Sequence, residues 1–271
     1  MKPVHRTGGP CVKAGCCAYT YRDYLTGAKS PCMTMEDFLD RMAEVGVPGV
    51  EATSYYFPDP LNYAGIRRIA HRAFVLGIDI AGTAIGNNFA LPPGRARDRQ
   101  IALVRRWIDR AVDMGAPVAR VFAGPAPEGV SDETARSWVV ECLDTCLAHA
   151  EKKGVMLALE NHGGVVARPE GLLAILKHFD TPWLGVQLDT GNFPGRDPYG
   201  DLARVAPYAV AAHLKTEVRH DGVVEATDLA RIMGLLRDAS YRGCVHLEYE
   251  GAEDAAEAAP RILRELMAAT G

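Results

Sequence analysis

Four apolar runs in this chain end on an ionisable side chain, and those side chains are where chemistry is to be sought. They are Glu160 in VMLALEN (155–161), Asp189 in WLGVQLD (183–189), His213 in AVAAHLK (209–215) and Glu248 in CVHLEYE (244–250). Burying three carboxylates and an imidazole costs several kcal/mol apiece unless something positive joins them, and a divalent cation does so. Two Glu, one Asp and one His make a mainly oxygen-donor set, best suited to manganese or magnesium and compatible with cobalt or zinc. Each residue alone has a plainer reading. Glu160 or Glu248 could pair with an arginine on a neighbouring strand, Asp189 could cap the turn at Thr190 and Gly191, and His213 could be a hydrogen-bonded interior histidine. The cation is the reading that accounts for all four together.

Other polar residues flank these ends. Lys215 lies two residues beyond His213, on the same side of an extended segment, placed to bind a substrate oxygen or to balance the carboxylates. Arg219, in the loop that follows, is either a clamp for a carboxylate or phosphate or a solvated charge. Glu51 is a polar place in GVEATSYYF, before Tyr55, Tyr56 and Phe57, rings that could wall a polyol pocket or form a core-edge cluster. His162 and Asn161 follow Glu160, and Gly163 and Gly164 let that loop turn sharply beside a ligand. Asn192, three residues after Asp189, is a candidate hydrogen-bonding partner for substrate. His246 and Glu250 share the alternation of Glu248, His246 deeper and Glu250 further out; Glu248 is selected for the level of the rim.

The elements that must carry these residues repeat one unit, a short apolar run followed by a turn and a helical stretch. Besides the four runs above, the series contains VKAGCCAY (12–19), GVPGVEATS (46–54), GIDIAGTAI (77–85) and PVARVFAG (117–124). Nearly continuous apolar runs fit parallel strands covered on both faces. Helices are predicted at MEDFLDRMAEV, with Thr34 as N-cap and Asp37 three residues on, at 62–76, at 97–114, and after Ser131. Further helices are expected at RPEGLLAILKHF, DPYGDLARVAP, ATDLARIMGLLRDA and AEDAAEAAPRILRELMAA, the last kinked or divided by Pro260. Eight units in steps of roughly 30 residues predict an α/β fold, a closed (β/α)8 TIM barrel, formed by a single domain over 1–271 with residues 1–11 as a loose N-terminal segment. In such a barrel the carboxyl ends of the strands form the active rim. A doubly wound open sheet has fewer strands, and AYTYRDYL lacks a glycine-rich dinucleotide loop.

The totals bound the partners. The 271 residues are 48% hydrophobic and 24% charged with a formal charge of -4, which offers no general field for nucleic acid. No run is long enough to cross a bilayer and none has signal-peptide form, so no membrane partner is expected. Seven cysteines, an odd number spread along the chain, fit a reducing, cytoplasmic setting. Cys11, Cys16 and Cys17 cluster, but no second half completes a zinc site. No phosphate-binding loop, nucleophile elbow or basic–aromatic stripe occurs.

ALENHGG (158–164), QLDTGNF (187–193), HLKTEVR (213–219) and HLEYEG (246–251) resemble the sugar phosphate isomerase/epimerase superfamily, the xylose isomerase-like TIM barrels. This group includes ketose 3-epimerases, inosose dehydratases and hydroxypyruvate isomerases. The resemblance implies one divalent metal ion held by Glu160, Asp189, His213 and Glu248, with Arg219 retained from the epimerase pattern and Lys215 from an H-x-K form. Asn192 stands where the ketose 3-epimerases have a histidine. It further implies isomerisation or epimerisation of a small sugar, polyol or hydroxy-ketone through an enediolate, with Glu160 and Glu248 as proton carriers and Glu51, His162, Asn192, Lys215 and Arg219 toward substrate. The alternatives are a sugar or cyclitol dehydratase, with His162 or Lys215 as acid, and a non-catalytic sugar-binding barrel. A homo-oligomer is compatible with the sequence.

Overall fold

Short apolar runs bounded by turn residues pair side by side, and eight of them close into a barrel. The computed structural model describes residues 1–57 and 63–270. The first half runs β1 (Cys11–Cys17), α1 (Arg22–Leu25), α2 (Met35–Val45), β2 (Gly49–Thr53), α3 (Tyr63–Leu76), β3 (Asp79–Ala84), α4 (Arg95–Met114), β4 (Val118–Val121) and α5 (Asp132–Lys153). The second runs β5 (Met156–Glu160), α6 (Pro169–Leu176), β6 (Leu184–Asp189), α7 (Pro198–Val205), β7 (Ala209–Leu214), β8 (Glu217–His220), β9 (Val223–Ala226), α8 (Leu229–Asp238), β10 (Arg242–Leu247) and α9 (Ala255–Thr270). The barrel order is β1-β10-β7-β6-β5-β4-β3-β2, closed and parallel throughout, so every barrel strand brings its carboxyl end to the same rim. The fold is the (β/α)8 barrel that the eight alternations predict.

Helices pack their apolar faces on the outside of the strands. Phe38, Leu39 and Met42 of α2, Val104 and Ile108 of α4, and Val139, Cys142 and Leu143 of α5 are fully buried there. Thr34 caps α2 as expected: its hydroxyl accepts from the Asp37 N–H at 3.2 Å while Asp37 accepts from the Thr34 N–H at 2.8 Å. Ser131 caps α5 through the Thr134 N–H. Inside the barrel, Gly15 on β1 opposes His246 on β10, and a Cβ at Gly15 would lie 2.4 Å from Cδ2 of that ring. The glycine thus makes room for a buried histidine.

The structure departs from the sequence reading at two elements. The segment after His213 is more than a loop: β8 and β9 form an antiparallel hairpin turned by Asp221 and Gly222, both at positive φ, and Arg219 sits on β8. The Asp-Gly pair between apolar-alternating flanks is a strong hairpin signal that the sequence reading passed over. Pro260 does not divide the last helix, which runs unbroken from Ala255 to Thr270. The Ala256 carbonyl, deprived of the N–H that proline lacks, accepts from Arg41 Nη2 at 3.2 Å. The helix expected from Asn62 is seen from Tyr63; Asn62 and Gly271 lie outside the described residues. Residues 1–10 have no regular secondary structure but are tethered to the rest, by the Met1 amino group to the Leu176 carbonyl at 3.0 Å and the Val4 N–H to the Pro207 carbonyl at 2.9 Å.

Candidate metal centre

β5 and β6 end on Glu160 and Asp189, and Asn161 fastens the two ends together. Its amide oxygen accepts from the Asp189 N–H at 2.8 Å and its amide nitrogen donates to the Asp189 carbonyl at 2.9 Å, adding one more rung to the sheet. Asp189 lies opposite His213, which lies opposite His246, and Glu248 follows β10 directly. Glu160, Asp189, His213 and Glu248 are all buried.

One ligand atom each from Glu160, Asp189 and His213 falls within a mutual distance of 4.8 Å. His213 Nδ1 lies 2.8 Å from Glu248 Oε2 and 3.9 Å from Asp189 Oδ2. Asp189 divides its labour: Oδ1 accepts from the Gly191 N–H at 2.8 Å, holding the turn, and Oδ2 is left without a hydrogen bond. The same holds for Glu160 Oε2, His213 Nδ1 and Glu248 Oε2; the 2.8 Å contact between the last two is misaligned for a hydrogen bond. Buried polar atoms rarely go without a hydrogen bond, and here four of them lie at or just past the ends of four consecutive barrel strands. The donor set, three carboxylates and an imidazole, fits a divalent cation.

Electrostatics point the same way. Burial pushes the Asp189 carboxyl up to about 8, with Glu248 and Glu160 adding to the rise and Lys215 opposing it. Burial likewise raises Glu160 against the pull of Arg120. Burial alone would lower His213, but Glu51 and Glu248 outweigh it and hold the ring protonated well above its ordinary value. Burial would raise Glu248 too; the charge of His213 instead keeps it below the usual carboxylate range. A cation between these groups would replace protons that the site otherwise has to retain.

The plainer readings are present alongside. Glu160 does meet an arginine: Arg120 Nε of β4 is 2.9 Å from its Oε2, both side chains buried, and that guanidinium stacks 3.8 Å over the Phe122 ring. Arg120 escaped the sequence reading because an arginine inside PVARVFAG carries no local sign of the strand its head will face. Lys215 Nζ is 3.4 Å from Glu248 Oε2 and 3.8 Å from Asp189 Oδ2, and donates to the more exposed Glu250. Asn192 donates to Glu160 Oε1 at 3.2 Å. Glu51 lies within the barrel, its Oε2 2.9 Å from His213 Nε2 and its Oε1 accepting from the Cys17 thiol at 3.0 Å. Burial would raise Glu51, but His213 brings it down to about 2; burial pushes the Cys17 thiol up to about 12.

Above these groups opens a cavity of about 310 Å³ lined by His162, Asn192, Lys215, Glu217, Arg219 and Glu250, among others. It therefore gathers His162, Asn192, Lys215 and Arg219 at one mouth, with the His162 ring packed 4.4 Å from that of Phe122. Tyr55, Tyr56 and Phe57 line a separate groove, and Phe57 packs edge-on against Trp107. No helix among the described residues is long and apolar enough to cross a membrane.

Comparison with known proteins bears on this arrangement. The family model described as xylose isomerase-like TIM barrel matches residues 39–266. An alignment over 155 residues that covers 53% of this chain is 28% identical to the C-glycoside deglycosidase alpha subunit of Arthrobacter globiformis, and covers only 38% of that relative's length. Among solved structures, the IOLI protein with a binding zinc atom superposes with a TM-score of 0.78 at 16% identity, over 95% of this chain and 96% of that one. A D-tagatose 3-epimerase-like protein superposes with a TM-score of 0.76 at 18% identity, over 95% of this chain and 98% of the other. At such identities the two structures speak for the fold.

Proposed function

This chain belongs to the xylose isomerase-like TIM-barrel family, and from that premise we propose that it is a divalent-metal-dependent isomerase or epimerase acting on a small sugar, polyol or hydroxy-ketone. The observation that carries the reading is the buried cluster in which Glu160, Asp189 and His213 bring one ligand atom each within 4.8 Å of one another, with Glu248 Oε2 2.8 Å from His213 Nδ1. Those four residues would hold manganese or magnesium, with cobalt or zinc as substitutes. When bound, the ion supplies polarisation of a carbonyl and charge stabilisation for an enediolate.

This chain's residues supply the rest. Glu160 and Glu248 come from separate strands and serve as the proton carriers at the substrate carbon, one removing and one returning. Asn192 fixes the orientation of Glu160 by donating to Oε1, and the buried charge of Arg120, 2.9 Å from Oε2, holds the carboxylate in place without a hydrogen bond to that oxygen. Glu51 Oε2 lies 2.9 Å from Nε2 of His213, so in the neutral ring it would keep the remaining proton on Nε2 and free Nδ1 as a ligand, the usual way a carboxylate orients a metal-bound histidine. Lys215 and Arg219 at the mouth, with His162 and Asn192, meet the substrate's oxygens. The barrel walls exclude bulk water from the buried carboxylates.

Incubation of the manganese-loaded protein with ketoses and inososes in deuterated water tests this. Deuterium at the carbon next to the carbonyl, with unchanged substrate skeleton, is the expected result; turnover without exchange, or protein that takes up no divalent ion, overturns it. A second reading, elimination from the same enediolate, is supported by two candidate acids, His162 and Lys215, that line the same cavity. In that case a group beta to the carbonyl leaves with a proton from His162 or Lys215, and products of lower mass appear in the same assay.

A further inference from the structure

We propose that Cys17, Glu51 and His213 form a second cation position, on the Nε2 edge of the His213 ring, that takes thiophilic ions such as zinc or cadmium. The proposal concerns ion binding alone and does not depend on the isomerase reading. A thiol sulfur, a carboxylate oxygen and an imidazole nitrogen, one from each residue, lie within 4.8 Å of one another, and all three residues are buried. The Cys17 sulfur is 3.0 Å from Glu51 Oε1 and 3.4 Å from Thr53 Oγ1, and Glu51 Oε2 is 2.9 Å from His213 Nε2. Sulfur and nitrogen ligands of one tetrahedral zinc stand about 3.5 Å apart, so the cluster needs little movement to close on an ion. His246, buried with both ring nitrogens unpartnered, places a further imidazole 6.4 Å from the His213 ring. The Glu160–Asp189 side offers only oxygen beside the shared histidine, whereas this side offers sulfur, the ligand type that selects soft ions.

Through a neutral shared imidazole the two positions compete. A neutral imidazole carries one proton. With an ion on Nδ1, that proton is on Nε2 and faces Glu51. With an ion on Nε2, the proton moves to Nδ1, 2.8 Å from Glu248 Oε2. Binding at the inner position forms the sulfur–metal bond with the thiol's electron pair and sends the thiol proton to solvent. It also removes a ligand from the oxygen-rich side. Cadmium at the inner position would thereby weaken manganese binding at the outer one.

Chelator-treated protein titrated with cadmium under nitrogen tests the proposal through the sulfur-to-cadmium charge-transfer band. The band is expected in the native protein and in a C11A/C32A variant, which lacks the two exposed thiols, and is expected to vanish in Cys17→Ala. Cys17→Ala should weaken cadmium binding by about tenfold or more while manganese binding holds within about threefold. A band that survives Cys17→Ala, or that never forms, overturns the proposal. Should the variant fail to fold, anomalous scattering from cadmium-soaked crystals of the native protein decides. A peak between Cys17, Glu51 and His213 Nε2 supports the site, and cadmium found only beside Glu160 and Asp189 overturns it.

Discussion

Asp189 and His213 are the groups at which an ion in the proposed site would have to displace protons. Burial lifts the Asp189 carboxyl to about 8, and two carboxylates keep His213 charged, so at pH 7 both groups are protonated in the ion-free protein. An ion held by Asp189 and His213 would expel them. Manganese binding at pH 7 is therefore expected to release about one to two protons and to weaken steadily as pH falls below about 8. Calorimetry in buffers of different ionisation enthalpy reads the number directly, and heats that do not vary with buffer would contradict it. At this scale the sequence was legible wherever a residue type and its place in a strand suffice: Glu160, Asp189, His213 and Glu248 all end or follow apolar runs. It was illegible where the partner sits on another strand. Neither the Arg120–Glu160 contact nor the Cys17–Glu51–His213 chain has a local signature, because each is made only when the barrel closes.

The elements were read well because their signals are local. Thr34 and Asp37 fix the start of α2, and near-continuous apolar runs mark the barrel strands. The hairpin of β8 and β9 was missed although Asp221-Gly222 announces its turn. Two glycines test how far element-level rules reach. Gly234 lies inside α8 with nothing within 4 Å of an added Cβ, so Gly234→Ala is expected to stabilise by about 0.5–1 kcal/mol through helix propensity. Gly15 lies in β1 against the His246 ring, and Gly15→Ala should destabilise by about 1–3 kcal/mol through overpacking. Urea midpoints of the two variants should move in opposite directions; a common direction would mean that the His246 ring yields freely.

For the whole molecule, the site's charges make stability depend on both pH and metal. A group whose folded pKa is raised binds more protons folded than unfolded, so its contribution is lost as pH climbs toward the folded value. Asp189 and His213 both behave this way above pH 6.5. His246, lowered to about 4 by burial, works in the opposite sense but only below its ordinary value of 6.5. Ion-free protein should therefore lose stability between pH 6.5 and 8. Manganese at about 100 times its Kd should add about 2.7 kcal/mol and abolish that loss. Thermal melts at the two pH values, with chelator and with manganese, separate the cases, and parallel behaviour in both would count against metal at this centre.

Asn161 has a consequence for which ion is admitted. By hydrogen-bonding the backbone of Asp189 on both sides, it clamps two adjoining strand tips to a fixed spacing. An ion held between Glu160 and Asp189 would meet strand tips tied to one another, and such a site would discriminate by radius. Calcium, which prefers longer bonds and more ligands than magnesium or manganese, should fit it poorly.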